Sequence, residues 1–360
     1  MITVAKAPRM TRVLARGDWM DQSGEVVLPA VPHFLQQIDT GGKRATRLDL
    51  ARWLTSGAQP LTGRVFVNRL WYLFFGRGLS ADLGDFGAQG EWPDHPELLD
   101  ALAVRFARSG WNVKQMVRLL VTSNSYRQTS KPRLGAEDRN PGNRLLAWQS
   151  RWRLPAEMIR DNALAVSGLL VEQLGGDSVK PYQPPGYYQH LNFPARKYRQ
   201  HSDARQWRRG VYMHWQRMFL HPALRAFDAP TREECTPARP VSNTPQAALT
   251  LLNDPTFVEA ARVFAARLLA AKGSVLERMA LGFRLATSRA GSAEEIAALE
   301  GLLARQRARY AKDPKAAARL VAVGLTKPPA GSSRSDIVDL AAWTAVTRVL
   351  LNLHETTTRN

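Results

Sequence analysis

Apolar residues recur every three or four positions along most of this 360-residue chain, a period that predicts helices separated by loops marked with glycine and proline. The first helix is expected after Thr46, an N-cap with Asp49 at N3, and carries Leu50, Trp53 and Leu54 at helical spacing. A second is expected in LTGRVFVNRLWYLFFGRGL, capped by Thr62, with Val65, Phe66, Leu70, Leu73 and Phe74 on one apolar face and Gly76 closing it. Pro96 sits at N1 of a third, with Leu98, Leu99, Leu102 and Phe106 inside, and Asn112 caps a fourth around Met116, Val117, Leu120 and Val121. The short link between these two predicts a helical hairpin. Near Pro155 to Leu170 another helix aligns Met158, Ile159, Asn162, Ala163 and Val166.

The helical period stops at Gly175-Gly176. Residues 177–245 are rich in Pro, Tyr, Trp and Arg, and only Arg209 to Gln216 alternates as a short strand does. From Thr244 the period returns in four further segments, with Lys327 to Ser333 as a linker. The expected fold is mainly α: an irregular helical core with a Pro/aromatic-rich insertion containing a short β-strand or hairpin. The expected parts are an extended N-terminal arm over 1–45, a helical core over 46–176, the insertion over 177–245, and a C-terminal helical bundle over 246–360 that shares one core with 46–176.

Composition narrows the function classes. With 44% hydrophobic residues the chain can bury substantial cores. Its one cysteine, Cys235, excludes a disulfide framework, a multi-thiolate zinc or iron-sulfur site, and the Cys-x-x-Cys-His attachment of c-type haem. No stretch approaches the roughly 18 apolar residues of a membrane span. The start, MITVAKAPRM, leads into no apolar signal core, so the expectation is a soluble chain without an export signal. Lys and Arg number 50 against 31 Asp and Glu, a formal net charge of +19, and 40 of the cations are arginine. Guanidinium groups pair bidentately with carboxylate, sulfate and phosphate, which favours an anionic polymer or acidic partner. A GC-rich coding sequence would enrich arginine without any such role. The excess is nevertheless local: residues 181–227 hold eight basic side chains and Asp203 as their lone acid.

That segment supplies the candidate ligand-binding residues Tyr187, Tyr188, Trp207, Arg208, Arg209, Tyr212, His214 and Trp215, within a wider set that includes Phe193, Tyr198 and Phe219. Rings beside cationic donors suit a ligand with flat faces and anionic groups, because a sugar stacks its C–H face on an aromatic while Arg takes its sulfate or carboxylate. The alternative is that the rings pack the irregular segment onto the helical body and the arginines form surface ion pairs. Histidine spacings of 11, 13 and 7 across His190, His201, His214 and His221 match no compact metal motif, so no metal site is expected. Glu157 and Asp161 lie one helical turn apart and, with Asp228, are candidate acid and base groups if they share a cleft. An ion-pair cluster with Arg151, Arg153 and Arg160 is the competing reading. Cys235 follows Glu233 and Glu234, which oppose thiolate formation, so it stands as a candidate redox residue only if Arg232 and Arg239 fold close.

Six collinear blocks carry a family resemblance. They are the LTGRVFVNRLWYLFFGRGL run, DFGAQGEWPDHPELLDALAVRFARSGW, SNSYRQTS, RWRLPAEMIRDNALAVSG, AFDAPTREECTPARPVSNTPQAALTLLND, and the terminal WTAVTRVLLNLHE. Together they resemble the planctomycete and verrucomicrobial cytochrome-associated family known as domain of unknown function 1553, from about Thr11 onwards. Members resemble the C-terminal module of large exported proteins, with a companion domain upstream and, in many, a c-type cytochrome domain. The resemblance implies a periplasmic or extracytoplasmic setting and haem c only on a partner or upstream domain, with no cofactor in this chain. The family transfers no catalytic residue.

Three functions are therefore expected in order. The first is an accessory binding or docking module of an extracytoplasmic cytochrome-linked system, engaging an acidic or sulfated polysaccharide and partnered by a companion upstream domain or a separate c-type cytochrome protein. The second is a hydrolase or oxidoreductase with a pocket between the insertion and the helical core. Nucleic-acid binding comes last, since charge alone suggests it and no recognition motif supports it.

Overall fold

The computed structural model describes residues 4, 6–57, 59–191 and 195–359, so Phe193 lies outside the described residues. Among the described residues the protein is mainly α, with two small two-stranded antiparallel sheets, and divides into compact units at Ser150 and Arg151.

In the first unit, β1 (Thr11–Arg12) pairs with β2 (Val26–Val27), Thr11 opposite Val27. Helix α1 (Arg47–Leu54) begins with a capping box in which Thr46 and Asp49 satisfy each other's backbone amides. Helix α2 (Pro60–Phe75) starts before Thr62; Gln59 caps it by accepting from the Leu61 amide at 2.8 Å. Its inner face is also turned from the expected one. Val67, Trp71 and Phe75 are buried, whereas Phe66 and Leu73 remain 37% and 55% exposed. Those inner residues join Leu99, Leu102 and Phe106 of α3 (Pro96–Arg108) and Met116 and Leu120 of α4 (Val113–Thr122), which Asn112 caps. Fully buried Asn68 fixes this rotation by donating to the Ser80 carbonyl at 2.8 Å and accepting from its amide at 3.1 Å. Gly78 lets that loop come so close, because a Cβ there would lie 2.3 Å from the Ser80 oxygen. The short helix α5 (Ala136–Arg139) follows.

The second unit begins with β3 (Trp152–Arg153), which pairs with β4 (Thr358–Arg359) at the other end of the chain. Helix α6 (Ala156–Ser167), which the period grouped with the earlier helices, belongs to this unit. Its Ile159, Ala163 and Leu164 are buried in one cluster with residues from the rest of the unit, and the Val166 carbonyl accepts from Arg267 at 2.8 Å. After the irregular segment come α7 (Pro222–Ala226), α8 (Pro245–Asn253), α9 (Pro255–Ala270), α10 (Val275–Thr287), α11 (Ala293–Lys312) and α12 (Pro314–Val321). Helices α13 (Arg334–Asn352) and α14 (His354–Thr357) complete the unit. α13 packs on α9, α11 and α12, and its fully buried Trp343 belongs to the same cluster. No regular strand forms at Arg209 to Gln216. Its extended pairing is a parallel bridge from Met213 to Val179, beside a second from Arg208 to Val171.

Candidate functional site

The segment from 168 to 244 has few backbone ladders of its own, so buried side chains must hold it. Arg160 of α6 donates to the carbonyls of Arg208, at 2.7 Å, and Gln206. Glu259 of α9, completely buried, accepts from Tyr182 Oη at 2.8 Å, Trp207 Nε1 at 3.0 Å, and the Thr326 amide and hydroxyl at 2.7 Å each. Gly210 rests on the start of α6, where a Cβ would meet the Glu157 Cα at 2.9 Å. These contacts turn the chain so that one side of the segment faces inward and the other lines an open cleft.

Most of the expected rings lie on the inward side. Tyr188 packs edge-on against Tyr198 and Phe219, with centroids 5.4 and 5.8 Å away, and Tyr187 contacts Phe219 at 6.0 Å while donating to the Leu220 carbonyl at 2.9 Å. Burial pushes the Tyr188 and Tyr198 hydroxyl pKa values up. Trp207 is tied to Glu259, and Trp215 lies beneath the Arg232 guanidinium, 3.7 Å from the ring centroid. Arg209 pairs on the surface with Glu172 at 2.6 Å. These rings therefore form an internal cluster and paired contacts instead of a common stacking platform.

The cleft encloses about 730 Å³. Its cationic lining is Lys180, Arg199, Arg205 and Arg208, its one lining acid is Asp177, and His201 and His214 face the same space. Arg208, only 3% exposed, donates to the carbonyls of Gln173, Gly175 and Asp177 and lies 4.1 Å above the Tyr212 ring. Tyr212 in turn accepts from the Gly175 amide at 2.8 Å, so Arg208 and Tyr212 together shape the wall formed by residues 173–177. Arg205 is held by both oxygens of Asp203, whose pKa that pair lowers to about 2. By contrast, Arg199 makes no hydrogen bond or ion pair among the described residues, and the Lys180 ammonium has only the Tyr198 ring at 5.9 Å. His201 Nδ1 accepts from the Lys180 amide at 3.1 Å, which places the proton of the neutral ring on Nε2 as a donor. Burial lowers the pKa of both histidines; Arg205 adds to the effect at His201, and Lys180 and Arg196 add to it at His214. The arrangement can therefore offer two long cations and two imidazole groups to an anion.

Of the expected ligand residues, Arg208 and His214 line this cleft. Arg199, Arg205 and His201 belong to the wider basic and histidine set of that segment, and Lys180 is the lining cation outside it. For Arg199 and His201 the sequence signal is the stretch Arg199 to Asp203, which has no apolar residue to bury.

Glu157 and Asp161 lie near each other about Gly210, and Asp228 is held by a different set of groups. Glu157 receives both guanidinium nitrogens of Arg239, at 2.6 and 3.1 Å. Asp161 accepts from the Gly210 amide at 2.6 Å, and burial raises its pKa. Asp228 is enclosed by Arg153, the Ser242 amide at 2.8 Å and the Ser242 hydroxyl at 2.7 Å. Burial alone would raise the Asp228 pKa, but these hydrogen bonds outweigh it and hold the carboxyl below its ordinary range. Cys235 is exposed. A lone cysteine without a Cys-x-x-Cys-His run does not fit covalent haem attachment. Among the described residues there is no group of three or more His, Cys, Asp or Glu side chains that could hold a metal ion, and no helix is long and apolar enough to cross a membrane.

Residues 46–303 match the model of the family PSD1, protein of unknown function (DUF1553). The chain belongs to this family. The match runs from the cap of α1 into α11 and includes the whole cleft, so the cleft lies within the DUF1553 region of the chain. No curated protein and no solved structure matches.

Proposed function

We propose that this DUF1553 protein is an accessory binding module whose cleft takes the sulfate or carboxylate groups of an acidic polysaccharide. The observation that supports this is the placement of Lys180, Arg199, Arg205 and Arg208 against one acid, Asp177, in a single open cleft. Oxyanions are bound best where several donors are already aligned and their competing ion pairs are few. Arg199 and Lys180 meet that condition; Arg205 shares its charge with Asp203. The setting that fits such a module is extracytoplasmic and cytochrome-linked. Its haem-bearing partner would be a companion upstream domain or a separate c-type cytochrome protein.

The test is a binding titration of the full chain with heparin, polygalacturonate and neutral dextran at several salt concentrations. Saturable binding to the two polyanions, weakened by salt and by Lys180→Ala with Arg199→Ala, is the expected result. Equal retention of dextran, or polyanion binding that the double variant leaves unchanged, would overturn the reading. Trp207 and Arg208 are unsuitable probes because both are tied into the structure of the segment. Of the acid and base groups of the hydrolase or oxidoreductase alternative, Glu157 is paired with Arg239, its neighbour Asp161 accepts from the Gly210 amide, and Asp228 is held by Arg153 and Ser242.

A further inference from the structure

A second pocket, of about 430 Å³, lies between the β3–β4 pair, the start of α8 and the end of α13. Its volume is in the range of small-molecule sites. One wall is apolar, made by Phe227, Val241, Ala247 and Leu251. The other side carries Arg151, Asn243, Asn352 and His354, none of which spends its side chain on a hydrogen bond or ion pair within the described residues. No acidic side chain lines the pocket.

The floor is held firmly. Arg153 reaches across it to Asp228 and to the carbonyls of Phe227 and Ser242, while Asn162 donates to the Thr356 carbonyl at 2.9 Å behind β4. Asp228 adopts a left-handed backbone conformation, φ 57°, that its hydrogen bonds to Ser242 maintain. Trp152 of β3 is covered by the Arg359 guanidinium, 5.1 Å from the ring centroid, which fixes the rim. Polar groups on this floor are consumed by one another, and those on the rim are left to solvent. An apolar wall facing uncommitted cationic and amide donors matches one ligand chemistry: a ring with an apolar face and a carboxylate on its edge.

We infer that this pocket is a binding site for a single-ring organic carboxylate, separate from the polyanion cleft. The apolar wall takes the ring face, Arg151 and His354 take the carboxylate, and Asn243 and Asn352 donate to or accept from substituents on the ring edge. Two sources share this chemistry, an aromatic acid and a uronic acid.

Isothermal titration of the full-length Lys180→Ala, Arg199→Ala variant with benzoate and separately with glucuronate tests the site without interference from the cleft. Saturable binding of at least one probe is expected, and which one saturates identifies the source. Arg151→Ala should weaken it about tenfold, the loss of one charge-assisted contact, and Arg151→Lys should recover part of that loss. Ala248→Trp, which fills the pocket from the exposed side of α8, should abolish binding while circular dichroism and the unfolding midpoint show an intact fold. Failure of both probes to saturate, or binding unchanged in folded Ala248→Trp protein, would overturn the inference. Either result is independent of whether polyanions bind the cleft.

Discussion

The Arg208 guanidinium lies 4.1 Å above the Tyr212 ring and closes the loop of residues 173–177 by donating to three of its carbonyls. A cation placed in this way is part of the wall and cannot move out to meet a ligand. Replacing Arg208 by Ala should leave those carbonyls unsatisfied and lower stability by about 3 kcal/mol. Arg208→Lys should recover little, because one ammonium group cannot span three acceptors as a planar fork does. Urea unfolding of the two variants checks both statements; wild-type stability in Arg208→Ala would show that the loop does not depend on this contact.

Glu259 joins α9 to the irregular segment. As a buried carboxylate it needs every one of its four hydrogen-bond donors, with the Arg262 guanidinium 3.8 Å away. Glu259→Gln should cost about 3 kcal/mol, since the amide nitrogen brings donors where only acceptors fit. In Glu259→Ala, which removes both acceptor oxygens, the Trp207 indole should lose its partner. A changed tryptophan emission together with a lower unfolding midpoint is the expected outcome, and unchanged emission would argue against the Trp207–Glu259 contact.

These two networks explain how much could be read from the chain. Helix starts were legible where a short polar residue and an acid three positions later announce a capping box. Thr46 with Asp49 was identified this way, and Ser274 with Glu277, Ser292 with Glu295 and Ser333 with Asp336 have the same form. The inner face of α2 was not legible, because that helix is apolar nearly all round and its period cannot choose between Phe66 and Val67. A tertiary hydrogen bond made by Asn68 decides. Enrichment of the 177–245 segment in rings and cations was visible, but the same residue types serve packing and recognition equally well. Trp207 finds its partner 52 residues later in Glu259, and no local pattern encodes such a distance. His201 and Arg199 belong to the enriched segment, but nothing in their spacing distinguishes a cleft wall from a solvated loop.

Asp228 makes acid stability measurable at one residue. Its pKa is depressed in the folded chain, so between the folded and unfolded values the unfolded state binds more protons. Stability from this group is complete above the unfolded pKa of about 3.9 and is lost as pH falls through the lower folded value. Asp228→Asn should therefore be less stable than wild type at neutral pH and should show a shallower loss of stability below about pH 4. Chemical denaturation from pH 7 to pH 3 follows the difference, and parallel curves for the two proteins would contradict it.

The cleft histidines reverse the relation between stability and binding. Both His201 and His214 have pKa values below the ordinary value near 6.5, so they are neutral at pH 7, and the unfolded state binds the extra protons as pH falls. Their contribution to stability is present above about pH 6.5 and declines as pH drops through the folded values. An anion in the cleft has the opposite preference, because each imidazolium adds a positive charge beside Lys180, Arg196, Arg199 and Arg205 that only Asp177 and Asp203 offset. Polyanion affinity should thus rise between pH 7 and pH 5 at fixed salt, while the unliganded protein becomes easier to unfold. The His201→Ala, His214→Ala double variant should lose that rise and keep its pH 7 affinity to within a few fold, because neutral rings contribute donors but no charge. Heparin titrations at the two pH values decide the matter: an affinity that rises as steeply in the double variant would place the responsible proton elsewhere in the chain.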